Sequence, residues 1–203
     1  MNWKTKKISR TALWMLLILA VFYLLGVLGG QAAASMVSPE LKTELDQYLK
    51  DFFRLDQERI SVAESAWNTL LLYLRYPVMA FFLGFASAGA VLLPCLTMMF
   101  GLGLSFSVSC FAAAFGTAGI QLALASFGLR VLVTLPCFFW VAVPAWEASF
   151  RLFALSFGRG RRTAPVLYGR AYWMRFCIVM AVLFAGICGD MILTPWLFKQ
   201  IWM

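Results

Sequence analysis

The stretch that decides the fold is residues 77–158, PVMAFFLGFASAGAVLLPCLTMMFGLGLSFSVSCFAAAFGTAGIQLALASFGLRVLVTLPCFFWVAVPAWEASFRLFALSFG. About 80 residues pass with formal charges only at Arg130, Glu147 and Arg151. One transmembrane helix needs about 20 apolar residues, so of the odd numbers of crossings that the flanking charges require, three spans of about 24 residues fit this run and one or five do not. Phe100-Gly101-Leu102-Gly103 and Phe127-Gly128-Leu129-Arg130 read as the turns between them.

The flanks agree with a membrane setting. Of the 203 residues 63% are hydrophobic and 13% charged, and mean hydropathy is +0.83. An average soluble domain is roughly 45–50% apolar and about 25% charged, and a soluble domain of this size could not hide so much apolar surface. Upstream, residues 11–34 form another apolar block preceded by Lys4, Lys6, Lys7 and Arg10. Ala32-Ala33-Ala34 leaves signal-peptide cleavage as an alternative there, although the apolar core is longer than a signal peptide uses. Downstream, the basic loop GRGRRTAPVLYGR carries Arg159, Arg161, Arg162 and Arg170, and a last apolar block follows.

Lysine and arginine concentrate on cytoplasmic flanks, which places the amino terminus and the 159–170 loop inside the cell. An even number of crossings must then separate them. The sequence therefore predicts an all-α, single-domain bundle of five spans, at about 11–34, 77–100, 102–127, 130–157 and 172–196. Its amino terminus is cytoplasmic and its carboxyl terminus extracytoplasmic. The excess of 17 basic over 9 acidic residues, net +8, reads as topogenic charge and not as a nucleic-acid footprint.

Residues 38–76 are the one substantial extramembrane segment expected outside the cell. They hold five basic and seven acidic residues. Ser38-Pro39-Glu40 opens an amphipathic helix whose apolar face is Leu41, Leu45, Tyr48, Leu49, Phe52 and Phe53, opposite Lys42, Glu44, Asp46, Lys50 and Asp51. Ser61 and Glu64 form a capping box that starts a second helix. Such helices lie on the bilayer or dock a partner; Leu45, Asp46, Tyr48, Asp51, Phe52 and Phe53 are the candidate partner surface.

Charges inside spans are functional candidates. Glu147 and Arg151 lie four apart, in the order that favours an ion pair on one helical face. Arg175 reads as interfacial, and Asp190 can meet Arg130 at the outer face. Gly26 with Gly30, Gly84 with Ser87 and Ala88, and Ala112 with Gly116 and Gly119 read as close-packing positions, between helices of one chain or between copies of it. Pro94, Pro136 and Pro144 lie within spans and can kink them.

No catalytic, cofactor or metal site is expected. The chain has no histidine, its five cysteines are at least eleven residues apart, and neither a phosphate-binding loop nor a hydrolase motif occurs.

Along about 190 residues the chain resembles the stage II sporulation protein M family of endospore-forming bacteria. The residues that carry the likeness begin with Leu25-Gly26-Val27-Leu28-Gly29-Gly30, Glu40-Leu41 and Tyr48-Leu49-Lys50-Asp51-Phe52-Phe53. They continue with Phe82-Leu83-Gly84, Pro94, Leu135-Pro136, Pro144 and Ser149-Phe150-Arg151-Leu152. Pro165, Gly169-Arg170 and Leu193-Thr194-Pro195-Trp196-Leu197-Phe198-Lys199 complete the series. Phe100-Gly101-Leu102-Gly103 lacks the basic residue expected at that turn. The resemblance implies a non-enzymatic membrane scaffold that holds two peptidoglycan-remodelling enzymes, stage II sporulation proteins D and P, during forespore engulfment. The competing expectation is a small permease that uses Glu147 and Asp190.

Overall fold

The computed structural model describes residues 10–36, 62–124, 128–156 and 169–201. Among them there are five α-helices and no strand: α1 (Arg10–Ser35), α2 (Val62–Leu83), α3 (Gly89–Ala123), α4 (Leu129–Ser156) and α5 (Arg170–Ile201). Within them, Arg10–Ser35, Gly89–Ala113, Arg130–Ser156 and Arg170–Asp190 are long and apolar enough to cross a membrane. The apolar part of α2 is shorter, Leu70–Leu83. The amphipathic segment with Leu45, Asp46, Tyr48, Asp51, Phe52 and Phe53, and the basic loop from 159 to 168, lie outside the described residues.

The helix breaks differ from the expected ones. Phe100-Gly101-Leu102-Gly103 is uninterrupted helix inside α3. The turn instead covers residues 84–88, so the expected 77–100 span is divided between α2, the turn and α3. The reason is packing. A Cβ on Gly101 would collide with the Tyr23 carbonyl oxygen of α1 and approach the Val27 nitrogen at 3.1 Å. Gly101 is therefore a point of backbone contact, not a turn. The second expected break, around Gly128, falls where α3 ends and α4 begins.

Neighbouring contacts fix the helix directions. Along α1 and α3, Tyr23 lies by Gly101, Gly26 by Met98 and Leu102, and Gly30 by Ser105, so Cβ positions rather than loops report how the two helices meet. As α1 ascends from Tyr23 to Gly30, its α3 neighbours run from Met98 and Gly101 to Ser105, so the two helices are parallel. Along α2 and α4, Tyr73 lies by Arg130, Gly84 by Ala145, and Ala86 by Ser149, again parallel. Gly186 of α5 meets Val133, while Asp190 meets Arg130, so α5 opposes α4. Helices α1, α3 and α5 thus run one way and α2 and α4 the other. The start of α1, the 84–88 turn, the end of α4 and the start of α5 share one end, called here the turn end.

The core follows from helical stripes. In α2 it is Tyr73, Pro77, Ala80 and Phe81; in α4, Phe138, Val141, Ala142, Ala145 and Ser149; in α5, Val179, Leu183 and Ile187. Helix α4 touches every other helix. Ring stacking fills the turn end, where Phe81 lies 3.9 Å from Phe176 and 5.0 Å from Tyr172 between ring centroids. Higher up, Tyr76 stacks on Phe100 at 4.4 Å. Helix α1 buries only Leu19, Gly26 and Gly30. Its large side chains, including Trp14, Leu17, Val21, Leu24 and Leu28, remain exposed, as a lipid-facing helix requires.

Candidate functional site

Three backbone carbonyls at the turn end are claimed by side chains from other helices. Pro94 has no N–H, so it cannot donate to the Ala90 carbonyl one turn below it. The indole Nε1 of Trp146 donates to that oxygen instead, at 2.8 Å. Ser149 Oγ donates to the Ala86 carbonyl at 2.6 Å, and Tyr172 Oη to that of Phe81 at 3.1 Å. The Ala90 carbonyl freed by Pro94 is thereby satisfied without water, as an apolar interior demands, while the Phe81 and Ala86 carbonyls, which also accept from the Gly84 and Gly89 backbone N–H groups, gain a second donor. Gly84 lets this happen: a Cβ there would strike the Tyr172 hydroxyl and come within 3.0 Å of the Ala145 Cβ.

The other packing glycines divide into two kinds. A Cβ on Gly26 would overlap the Met98 carbonyl oxygen, and one on Gly30 would lie 2.5 Å from the Leu102 carbonyl oxygen. These residues hold α1 against α3. A Cβ on Gly116 would meet nothing within 4 Å, and its φ of 61° breaks the helix of α3. The expected packing role of Gly116 is thus replaced by a conformational one, since only glycine adopts that angle without strain.

The charged candidates separate to opposite ends. Arg151 donates to Glu147 Oε1 at 2.5 Å near the turn end, with both side chains part-exposed. Arg175 is also near that end and exposed. Away from the turn, Arg130 Nη2 donates to Asp190 Oδ2 at 3.3 Å, and the carboxylate side chain is only 5% exposed. Seventeen residues of helix rise between Arg130 and Glu147, about 25 Å, so the two pairs form no common site.

The Arg130–Asp190 pair sits in a wider polar cluster. The Arg130 guanidinium carbon lies 5.5 Å from the Tyr73 ring centroid. The Tyr73 hydroxyl is buried next to both charges but makes no hydrogen bond of normal geometry. Thr134, one turn after Arg130, is 2% exposed, and its hydroxyl also meets no hydrogen-bond partner among the described residues. A cleft of about 250 Å³ runs past Arg130 and Thr134 to Arg75 and Tyr76 of α2 and Ser107 of α3. Ser107 itself donates to the Gly103 carbonyl at 2.9 Å.

Sequence pattern points to Asp190 and Arg130 but not to Tyr73, Arg75 or Thr134. The available signal is Arg75 within the apolar run Leu70–Leu83, two residues before Pro77. A boundary drawn at Tyr76 puts that arginine in the extramembrane segment and hides it. Thr134 gives no signal, because a threonine in an apolar helix ordinarily bonds back to its own backbone, as Thr97 does to Leu93 at 2.8 Å.

No protein-family model, no curated protein and no solved structure matches this chain.

Proposed function

We propose that the chain is a non-enzymatic, five-span membrane scaffold of the kind the stage II sporulation protein M resemblance implies. In this reading α2 is the fifth span. Its 22 residues extend about 33 Å, enough to cross a hydrocarbon core. Its shorter apolar run is sheltered by α3, α4 and α5, all of which contact it.

The observation that carries the reading is the alternation of helix directions. It gathers Arg10, Arg151, Arg170 and Arg175 at the turn end and makes the chain leave α1 and re-enter α2 at the other end. Positive charge favours the cytoplasmic side, which supports a cytoplasmic amino terminus and an extracytoplasmic link between α1 and α2. That link contains Leu45, Asp46, Tyr48, Asp51, Phe52 and Phe53, and it would meet wall enzymes on the side where they act. Proteins resembling stage II sporulation proteins D and P are the expected partners. Holding two such enzymes on one anchor raises their effective concentration at the membrane.

The test is capture of the two hydrolases by the full-length protein in membranes. Asp46→Lys with Asp51→Lys should weaken capture while insertion is preserved. Unchanged capture would remove the segment from the mechanism. A cysteine at position 48, in a background without the native thiols, should react with an impermeant reagent in intact cells. Reaction only in inside-out vesicles would reverse the orientation.

The permease reading requires Glu147 and Asp190 to act along one path. Their separation at opposite ends of the bundle supports scaffolding over coupled transport. Flux in proteoliposomes that vanishes in both Glu147→Gln and Asp190→Asn would reverse that preference.

A further inference from the structure

The cleft between α2, α3 and α4 lies in the half of the bundle away from the turn. Leu72, Phe100 and Leu104 form its apolar wall, and Arg75, Arg130 and Thr134 its polar one. Arg75 is exposed, and among the described residues no carboxylate pairs with it. Its guanidinium carbon lies 5.6 Å from the Tyr76 ring centroid. Arg130 is matched by Asp190, so among the described residues the two arginines face one aspartate. Thr134, whose buried hydroxyl has no hydrogen-bond partner among the described residues, lines the same space.

Both features are costly in an apolar surrounding unless something completes them. A guanidinium there seeks a counter-anion, and a buried hydroxyl seeks a hydrogen-bond partner. A planar guanidinium fork backed by a hydroxyl donor suits a tetrahedral oxyanion that presents several acceptor oxygens. We infer that this cleft binds a phosphate group, with Arg75 as its principal cation and Thr134 as a hydrogen-bond donor. The phosphate has two sources, an anionic phospholipid or the free ion. The half-exposed Leu72 on the cleft wall gives an acyl chain a surface to follow. The inference rests on α2 crossing the membrane, as in the five-span reading, but not on the scaffold role, since it involves none of the residues proposed to meet wall enzymes.

The full-length protein in mild detergent is mixed with phosphatidylglycerol, phosphatidylcholine or inorganic phosphate. Lipid retained after gel filtration is then quantified, and the thermal midpoint is read from tryptophan fluorescence. Phosphatidylglycerol should be retained above phosphatidylcholine and should raise the midpoint. Arg75→Gln and Thr134→Val should each weaken its retention roughly tenfold, the scale of one charge-assisted or buried hydrogen bond. Arg175→Gln, at the other end of the bundle, should retain it fully. A midpoint shift with inorganic phosphate alone that depends on Arg75 supports the site and makes the ligand the soluble ion. Equal retention by the wild type and Arg75→Gln, or equal retention of the two lipids with no phosphate-induced shift, overturns the inference. Arg75 is exposed, so its replacement leaves the fold intact and decides the matter even if Thr134→Val misfolds.

Discussion

Arg130 and Asp190 stand 60 residues apart in the chain and meet at 3.3 Å, joining the start of α4 to α5 far from the turn. The carboxylate is almost wholly enclosed. Removing either partner therefore leaves the other without its main counter-charge, and such losses cost roughly 3–5 kcal/mol. Arg130→Gln and Asp190→Asn should each lower the thermal midpoint clearly. The double variant should be more stable than the sum of the two single losses predicts. Additive losses in a double-mutant cycle would show that the pair is not coupled.

Glu147 and Arg151 offer the contrast. Their side chains are 37% and 48% exposed and lie one helical turn apart. An exposed pair of this kind contributes about 0.3–0.5 kcal/mol. Glu147→Gln should leave the midpoint nearly unchanged, and raising the salt concentration should have as little effect on the wild type. A large loss in thermal denaturation would show that Glu147 does more than pair with its neighbour.

Trp146 and Pro94 should be coupled. Trp146→Phe keeps the ring packing but strands the Ala90 carbonyl, at a cost of about 1–3 kcal/mol. Pro94→Ala restores an N–H at position 94 that can reach that oxygen. Trp146→Phe should therefore cost much less in the Pro94→Ala background. An equal cost in both backgrounds, measured by thermal unfolding, would dissociate the indole bond from the proline.

Glycine replacements in α1 should differ by position. Gly26→Val places carbon where the Met98 carbonyl oxygen stands, and overpacking of this sort costs about 1–3 kcal/mol. Gly29 faces only the Leu102 Cδ1, at 3.9 Å from a Cβ. Gly29→Ala should be neutral or stabilising by roughly 0.5–1 kcal/mol, because alanine is the better helix former. Crosslinking between cysteines placed on α1 and α3 should fall for Gly26→Val and persist for Gly29→Ala. The reverse pattern would misplace the α1–α3 contact.

Much of the helix map is readable from local pattern. The expected 11–34 and 130–157 spans correspond to Arg10–Ser35 and Leu129–Ser156, and 172–196 lies within Arg170–Ile201. Charged flanks bound those blocks, and the bilayer length rule needs nothing more. Between residues 77 and 127 there are no charges to punctuate the run, and the glycines alone have to divide it. By pattern Gly84 reads as a packing residue and Gly101 as part of a turn. In the folded chain Gly84 borders the turn while also packing, and Gly101 lies inside a helix against Tyr23.

Composition and flanking charge are enough to require an all-helical bundle with lipid-facing surfaces, since a backbone in hydrocarbon must satisfy its own hydrogen bonds within each segment. Tertiary structure alone decides where that bundle turns and which polar groups meet. A glycine permits both a sharp turn and a close backbone approach, and only the helix lying opposite selects between them. Likewise Arg75 comes from one helix and Arg130 with Thr134 from another, and their shared cleft exists only once α2, α3 and α4 have packed.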